Sequence, residues 1–180
     1  MKVLIIGTTH FVNALVQRTK LAQTGLIRMC LPSGSSILPF ADWPNSLVSG
    51  MKGTYKLIKG GYEMTGSEIS QLDHDELISA ARELSNMGCN QIAISSVFAT
   101  VRGEMEEEAL EILTKAMPDL SITLSKSIGG MGLLERENAA IINASLRPLA
   151  AEVVDSFTLL QKSLNLSCPM FFTRNDGTLI

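Results

Sequence analysis

The sequence predicts an α/β domain built on a mostly parallel sheet, with flanking helices and a small β-rich insert. Short runs of almost continuous apolar residues, such as Val3 to Ile6 and Leu26 to Leu31, are typical of parallel strands covered on both faces. These runs alternate with segments whose apolar residues recur at helical spacing, the order expected of strand-helix-strand crossovers. Because 46% of the 180 residues are hydrophobic, the chain can bury the core of a single domain spanning residues 1–180.

The first predicted strand ends at Gly7, and three polar residues, Thr8 to His10, lead into a helix. A stop at residues 23–25 separates this helix from the second strand, so a minimal β-α-β unit is expected. Because the first turn of such a helix offers unpaired backbone N–H groups, we expect the loop to face a ligand.

Residues 32–72 are punctuated by proline and glycine, and we interpret them as an insert on the α/β core. Within them, Thr54 to Lys59 alternates in polarity, Gly60 and Gly61 turn the chain, Tyr62 to Met64 continues the run, and Thr65-Gly66 forms a second turn. This pattern predicts a small antiparallel excursion.

A well-marked helix is predicted to begin at Asp73 and to end at Gly88. Asp73 is a favourable N-cap residue, and Glu76 stands at the position that completes a capping box. The sequence that follows predicts a second β-α-β crossover: a strand at residues 92–98, a helix at 104–117 and a strand at 120–124. We expect Glu106 to Glu108 to form a solvated helix face, and Ser95 and Ser96 to be ordinary sheet residues.

A glycine-rich hinge at residues 128–132 precedes a long helical region that extends to about Leu164. Pro148 is expected to break or bend this helix, because proline removes one hydrogen bond and clashes with the preceding turn. A last strand is predicted at residues 169–174 and a turn at 175–178.

The charge and hydropathy patterns exclude several classes of partner. The net charge is −3 and the 15 basic residues are scattered, which argues against nucleic-acid binding. No apolar run approaches the roughly 20 residues of a membrane span, so we expect a soluble, cytoplasmic protein. Since the first strand follows Met1 without a leader and the chain ends just past a turn, we also expect a fragment of a longer polypeptide.

Cysteine and histidine offer little obvious chemistry. Cys30, Cys89 and Cys168 are far apart in sequence and are expected to be buried, reduced thiols, although a catalytic cysteine stays open. His10 and His74 are the only histidines, so no protein-only zinc site is expected. Metal bound through nucleotide phosphate stays open.

Two polar segments are candidates for the functional site. Thr8, Thr9 and His10 could hold a phosphate or a carbonyl oxygen, the alternative being a threonine N-cap with a histidine packed beside it. Glu135 and Arg136, in the cluster at 135–138, could position a polar substrate, the alternative being a solvated helix start.

Two further polar positions, Asn143 and the segment 175–177, are candidates for functional residues. Asn143 lies among apolar residues, where a buried amide needs hydrogen-bond partners. The segment Asn175-Asp176-Gly177 could form a phosphate or metal loop or an ordinary turn.

Three segments together resemble the hydantoinase/oxoprolinase family, which is related to the N-methylhydantoinase A subunit. Residues 7–14 resemble the family's Gly-Thr-Thr-x-x-x-Asn-Ala motif. Residues 135–144, Glu-Arg-Glu-Asn-Ala-Ala-Ile-Ile-Asn-Ala, and residues 173–178 extend the resemblance over nearly the whole chain.

The resemblance implies a partial actin/sugar-kinase-like domain of an ATP-dependent cyclic amidohydrolase that uses ATP and Mg²⁺ to open a hydantoin or 5-oxoproline ring. It implies catalytic roles for Thr9, His10, Glu135 and Arg136. It also implies cofactor contacts for the following residues: Thr8, Asn13, Asn175, Asp176 and Gly177.

The chain departs from the family in ways that limit these expectations. The family's acidic-Gly-Gly-Thr phosphate loop lies ahead of the first strand, so the isolated piece is not expected to hydrolyse ATP efficiently. The last motif also differs, since Arg174 replaces a small polar residue or amide and Asp176 to Thr178 replaces the doubled glycine. The expected partners are a small cyclic amide and the remaining segments or a companion subunit of the parent. The rival hypothesis is a non-catalytic α/β interaction domain that pairs with a partner subunit, and a homodimer stays open.

Overall fold

The computed structural model describes residues 3–128, 130 and 132–173, and it confirms an α/β fold with parallel sheets flanked by helices. The chain divides into two compact units, a terminal unit of residues 1–21 and 146–180 and a central unit of residues 22–145. In chain order the elements are β1 (Leu4–Ile6), α1 (His10–Gln17), β2 (Thr24–Leu31), α2 (Asn45–Gly50), β3 (Thr54–Lys59), α3 (His74–Asn86), β4 (Gln91–Ser96), α4 (Glu104–Ala116), β5 (Ser121–Leu124), a 3₁₀ turn (Ser125–Ser127), α5 (Leu133–Ser163) and β6 (Met170–Phe172).

The central unit is organised by a four-stranded sheet in the order β3-β2-β4-β5, in which every pairing is parallel. In β2, the first seven of its eight residues are buried. The continuous apolar character of this strand follows from its position, since neighbours occupy both of its edges and helices cover its faces.

The two faces of this sheet pack against different helices, because successive side chains of a strand point to opposite faces. Ile27 and Met29 of β2 belong to the core cluster that also contains the apolar stripes of α3 and α4. On the opposite face, Arg28 contacts Glu137 in the first part of α5. The predicted stripe of α3 is confirmed: its buried residues are Leu77, Ala80, Ala81 and Leu84.

The predicted crossover from β4 through α4 to β5 is confirmed, since β4 and β5 pair in parallel. The predicted unit formed by the first two strands is wrong, because β1 pairs with β6 instead of β2. Both edges of β2 are already occupied by β3 and β4, which leaves no hydrogen-bonding edge for β1.

The antiparallel excursion predicted for residues 54–66 is wrong in its first strand, because Thr54–Lys59 is β3, which pairs in parallel with β2. A single antiparallel bridge between Tyr62 and Glu68 follows it, across the predicted turn at Thr65-Gly66. Most of β3 is only half-buried because the strand lies at the edge of the sheet, and a half-exposed edge strand has the same polar alternation as a hairpin. The segment 32–72 therefore supplies α2 and one strand of the main sheet.

The N-cap of α3 is confirmed in detail. Asp73 Oδ1 accepts hydrogen bonds from the backbone N–H groups of Asp75 and Glu76, at 3.0 and 3.1 Å. The reciprocal half of the predicted capping box is wrong, because the Glu76 carboxylate accepts from the backbone N–H of Lys59 instead, at 3.3 Å. Gly88 ends the helix with a φ of 95°, in the left-handed region that favours glycine.

Helix α5 is continuous through Pro148, so of the predicted break or bend the break does not occur. In the terminal unit, Leu149 and Val153 of α5 pack with Ala14 of α1. Phe157 and Phe172 meet edge to face in the same cluster, with ring centroids 5.9 Å apart. Among the described helices, none combines the length and apolar composition that a membrane span requires.

We expect Asp73→Ala to destabilise the fold by about 1 kcal/mol, because the substitution leaves two N–H groups at the start of α3 without their partner. Urea denaturation followed by circular dichroism measures the change. Asp119→Ala, which removes an exposed carboxylate from a loop, is the matched control and should unfold like the parent chain. Equal midpoints for the two variants would show that the cap does not contribute.

Candidate functional site

The candidate site lies where β2 and β4 end side by side. Strand β3 follows β2 in the chain and pairs with one edge of β2, whereas β4, the next strand, pairs with the opposite edge. The direction in which strands are added therefore reverses between β2 and β4. In open α/β sheets, ligands bind in the crevice outside the carboxyl ends of the strands at such a reversal. The topology alone therefore directs attention to the loops that follow these two strands.

A buried ion pair stands directly beneath this crevice. The Arg28 guanidinium donates from Nε and Nη2 to the two carboxylate oxygens of Glu137, at 2.7 and 2.5 Å, and both side chains are almost completely buried. Ser95 Oγ donates to the same carboxylate at 2.6 Å, and Arg28 Nη1 donates to the backbone carbonyl of Ile37 at 2.6 Å. This two-pronged contact fixes β2, β4, α5 and the loop after β2 to one another.

A cavity of about 290 Å³ opens above this ion pair, and we call it the β2–β4 cavity. Arg28 and Glu135 provide its charged groups. The rest of the lining comes from the loops after β2 and β4 and from the start of α5: Gly34, Ser36, Ile37, Val97, Leu133 and Leu134. An apolar hollow with few polar groups is the usual form of a small-molecule site.

A second buried polar cluster lies next to the first. The Glu106 carboxylate accepts from the backbone N–H groups of Ser96 and Lys126, at 2.9 and 3.0 Å, and from Ser125 Oγ at 2.7 Å. Arg136 donates to Ser125 Oγ at 3.0 Å and to the Ser96 carbonyl at 2.7 Å. The cluster therefore joins the ends of β4 and β5 to the starts of α4 and α5.

Burial perturbs the charged groups of this second cluster in opposite directions. It raises the pKa of the Glu106 carboxyl, and the hydrogen bonds from Lys126, Ser125 and Ser96 and the charge of Arg136 only partly oppose that shift. It lowers the pKa of the Arg136 guanidinium, against the charges of Glu106, Glu137 and Glu135.

Three consecutive residues of α5 thus have three different environments. Glu135 is exposed and lines the β2–β4 cavity, whereas Arg136 and Glu137 are completely buried in the two polar clusters. The buried pair anchors the first turn of the helix, so the Glu135 carboxylate is presented from a fixed backbone. The predicted alternative of a solvated helix start applies to Glu135 alone.

The predicted residues at the start of the chain lie in the terminal unit. Thr8 Oγ1 and His10 Nδ1 form a hydrogen bond of 2.6 Å, and Asn13 Nδ2 donates weakly to Thr9 Oγ1 at 3.4 Å. Thr9 occupies the N-cap position of α1 without a side-chain capping bond. The four side chains are therefore neighbours, while Glu135 and Arg136 belong to the central unit.

Other predicted positions have simpler outcomes. Asn143 is exposed and needs no buried partner, contrary to expectation. All three cysteines are free and buried, as predicted. The hinge residues Gly129 and Met131, and Arg174 with the predicted cofactor loop Asn175, Asp176 and Gly177, lie outside the described residues.

Sequence reasoning missed the residues that hold the site together. Glu106 was expected in a solvated face but is completely buried, while Glu107 and Glu108 are exposed. A signal was present, because Glu106 lies three residues before the buried Ala109 and so falls on the apolar stripe of α4. A second signal was Arg28, a charge in the middle of an otherwise apolar strand, which requires a buried partner.

A sequence model of the hydantoinase/oxoprolinase N-terminal region matches residues 1–117. The chain belongs to this family. A curated relative is caprolactamase subunit alpha of Pseudomonas jessenii, which is 22% identical over 188 residues, covering 97% of this chain and 27% of the relative.

Solved structures of two enzymes share the fold of this family member. The ATP-dependent caprolactamase from Pseudomonas jessenii matches with a TM-score of 0.81 and 21% identity, covering 99% of this chain and 27% of that chain. The nucleotide-free structure of acetone carboxylase matches with a TM-score of 0.73 and 18% identity, covering 98% of this chain and 28% of that chain. The chain thus spans little more than a quarter of each of these relatives.

We expect Arg28→Met to destabilise the central unit by about 3–5 kcal/mol, because it leaves the Glu137 carboxylate buried without its counter-charge. Urea denaturation measures the loss. The double variant Arg28→Met/Glu137→Leu, which removes both charges, should recover most of the stability. A double variant no more stable than Arg28→Met alone would contradict an ion-pair role.

The shifted pKa of Glu106 predicts a pH-dependent stability. Since its pKa in the folded chain lies above the ordinary value of 4.5, the folded state binds more protons than the unfolded state in the interval between the two values. The contribution of this group is fully present below the ordinary value and is lost as the pH rises through the folded-state pKa. We therefore expect the stability of the parent chain, relative to Glu106→Gln, to decline over that interval. A difference that is constant or grows with pH would contradict the shift.

Proposed function

We propose that this chain is part of an ATP-dependent enzyme that hydrolyses a cyclic amide of the hydantoin or 5-oxoproline type. The observation that carries the proposal is the family match over residues 1–117. The name of the curated relative, caprolactamase, supports action on a cyclic amide. The solved caprolactamase that shares the fold is an ATP-dependent enzyme, which supports dependence on ATP.

ATP supplies the chemistry that an unactivated amide lacks, because phosphorylation of its oxygen creates a good leaving group. Thr8, Thr9, His10 and Asn13 offer hydroxyl, imidazole and amide groups suited to an oxyanion or a carbonyl oxygen. No set of three His, Cys, Asp or Glu residues within the described part of the chain could hold a metal ion. We therefore propose that Mg²⁺ is held mainly through nucleotide phosphates.

In the central unit, we assign the contact with the polar part of the substrate to Glu135, an exposed residue that lines the β2–β4 cavity. Arg136 has a different role from the one its motif implied. Its side chain is completely buried against Ser125 and the Ser96 carbonyl, so it is a positioning residue that holds the start of α5. Arg28 completes the polar lining of the cavity from below.

We further propose that the chain works with additional polypeptide, either the remaining segments of the parent or a companion subunit. The relative is itself named as a subunit, and the terminal unit exposes several large apolar side chains: Val16, Leu159, Leu160 and Leu164. The same exposed side chains support the second candidate, a non-catalytic interaction domain, including one that forms a homodimer. A cytoplasmic location fits the three free cysteines, because free thiols are typical of reducing compartments.

The test is ring opening by the assembled parent enzyme, measured as ADP release and formation of the ring-opened acid on a panel of cyclic amides. We expect Thr9→Ala and Glu135→Gln each to lower kcat/KM by about 100-fold, the magnitude typical of losing a positioned polar group, with unchanged thermal stability. Glu111→Gln, at an exposed position of α4, is the control and should retain full activity. Unchanged kinetics in both site variants would remove these assignments, and absence of ATP-dependent ring opening would remove the function.

Calorimetry with ATP and Mg²⁺ on the isolated chain and on the assembled parent separates the two candidates. Nucleotide binding by the parent supports the enzyme. A parent that forms a complex with its partner by light scattering but binds no nucleotide supports the interaction domain.

A further inference from the structure

We propose that Gly132 is a positioning residue for Glu135. Because position 132 has no side chain, the Glu135 carboxylate folds back over the residue that precedes α5, and it is held there while Glu135 stays exposed. The consequence for the reaction rests on the proposed function, whereas the placement of the carboxylate does not.

The first support is the space that the carboxylate occupies. A β-carbon on residue 132 would overlap the Oε2 atom of Glu135 and would lie only 2.6 Å from its carboxyl carbon. This separation is far inside van der Waals contact, since the optimal distance between non-bonded carbon atoms is about 3.5–4.0 Å. The Glu135 carboxylate therefore takes the place of a side chain at position 132, and any other residue there must displace the carboxylate or move the backbone.

The second support is that the backbone of Gly132 is anchored. Its carbonyl accepts from the backbone N–H of Arg136 at 3.2 Å and from Arg136 Nη1 at 3.3 Å. Arg136 is completely buried, and it donates in turn to Ser125 Oγ and to the Ser96 carbonyl. A shift of residue 132 would strain these hydrogen bonds, so a side chain at that position should displace the Glu135 carboxylate instead.

The third support is electrostatic. Glu135 lies in the first turn of α5, where a negative charge interacts favourably with the backbone N–H groups at the start of the helix. Burial lowers the pKa of the Arg136 guanidinium, and the charge of Glu135 is one of three that oppose this shift, together with those of Glu106 and Glu137. Both effects favour a carboxylate that lies close to the helix start over one that extends into solvent.

A carboxylate that is both fixed and exposed is suited to contacting a ligand. A glutamate side chain on a protein surface ordinarily exchanges rotamers within nanoseconds, and a ligand that binds it must restrict that motion. Packing against Gly132 restricts the side chain before a ligand arrives, so the contact proposed for Glu135 loses less conformational entropy. Gly132 thus acts on the substrate contact through Glu135 without touching the substrate itself.

The placement is tested by NMR on the isotopically labelled 180-residue chain, without ATP or substrate. Three-bond couplings report the χ1 rotamer of Glu135, and nuclear Overhauser effects report the proximity of its γ-protons to the α-protons of residue 132. We expect one dominant rotamer and strong Overhauser effects in the unsubstituted chain. In Gly132→Ala we expect a changed or averaged coupling and the loss of those effects.

Gly130→Ala is the matched control for this measurement. A β-carbon at this exposed position would have no neighbour within 4 Å, so the Glu135 couplings should stay as in the unsubstituted chain. Three results would each overturn the proposal: averaged couplings in the unsubstituted chain, an unchanged Glu135 rotamer in Gly132→Ala, or the same rotamer change in Gly130→Ala.

The consequence for the reaction is tested by ring opening in the assembled parent enzyme. We expect Gly132→Ala to lower kcat/KM about tenfold, less than Glu135→Gln does, because the carboxylate is displaced and not removed. In a Glu135→Ala background the same substitution should have no further effect, since no carboxylate is left to displace. A purely structural role of residue 132 would lower kcat/KM equally in both backgrounds, and that result would overturn the proposal. An unchanged kcat/KM in Gly132→Ala, combined with a loss in Glu135→Ala, would overturn it as well.

Failure of the proposed function gives a different pattern. If the parent enzyme opens no ring, or if Glu135→Ala retains full activity, the role of Glu135 in the reaction is removed. The NMR measurement then decides by itself whether Gly132 fixes the side chain of Glu135. A rotamer change in Gly132→Ala, together with a loss of kcat/KM that requires Glu135, supports both the placement and its function.

Discussion

The buried contact between Arg28 and Glu137 is the constraint on which the central unit depends. A charge in the middle of the most buried strand is costly unless it is paired and hydrogen-bonded, and here Ser95 and a backbone carbonyl complete the pairing. Because the two residues are 109 positions apart in the chain, the contact also specifies how α5 lies on the sheet.

In the second polar cluster the buried charges are likewise stabilised by hydrogen bonds, but with different partners. Glu106 accepts hydrogen bonds from two backbone N–H groups and the Ser125 hydroxyl, and Arg136 donates to that hydroxyl and to the Ser96 carbonyl, so each charge is surrounded by fixed dipoles. Both clusters place an arginine near a glutamate and are close to neutral. The result is that Glu135, which directly precedes the two anchored residues Arg136 and Glu137, is the exposed carboxylate at the start of α5.

The chain belongs to the hydantoinase/oxoprolinase N-terminal region family, and its fold is similar to that of larger enzymes. The structural match with caprolactamase covers 99% of this chain but only 27% of the caprolactamase chain. The two sets of candidate residues belong to different compact units, Thr8 to Asn13 in one and Glu135 in the other.

The sequence by itself determined the elements whose signals are local. The buried strands, the crossover through α4 and the cap of α3 at Asp73 were readable because apolar spacing and capping act within a few residues. Tertiary structure decided what depends on distant partners: the pairing of β1 with β6, the parallel direction of β3, and the burial of Glu106 and Glu137. The local sequence around a buried glutamate does not differ from that around a solvated one. Burial of the charge becomes favourable only because the tertiary fold places hydrogen-bond donors from a strand end, or an arginine distant in sequence, beside the carboxylate.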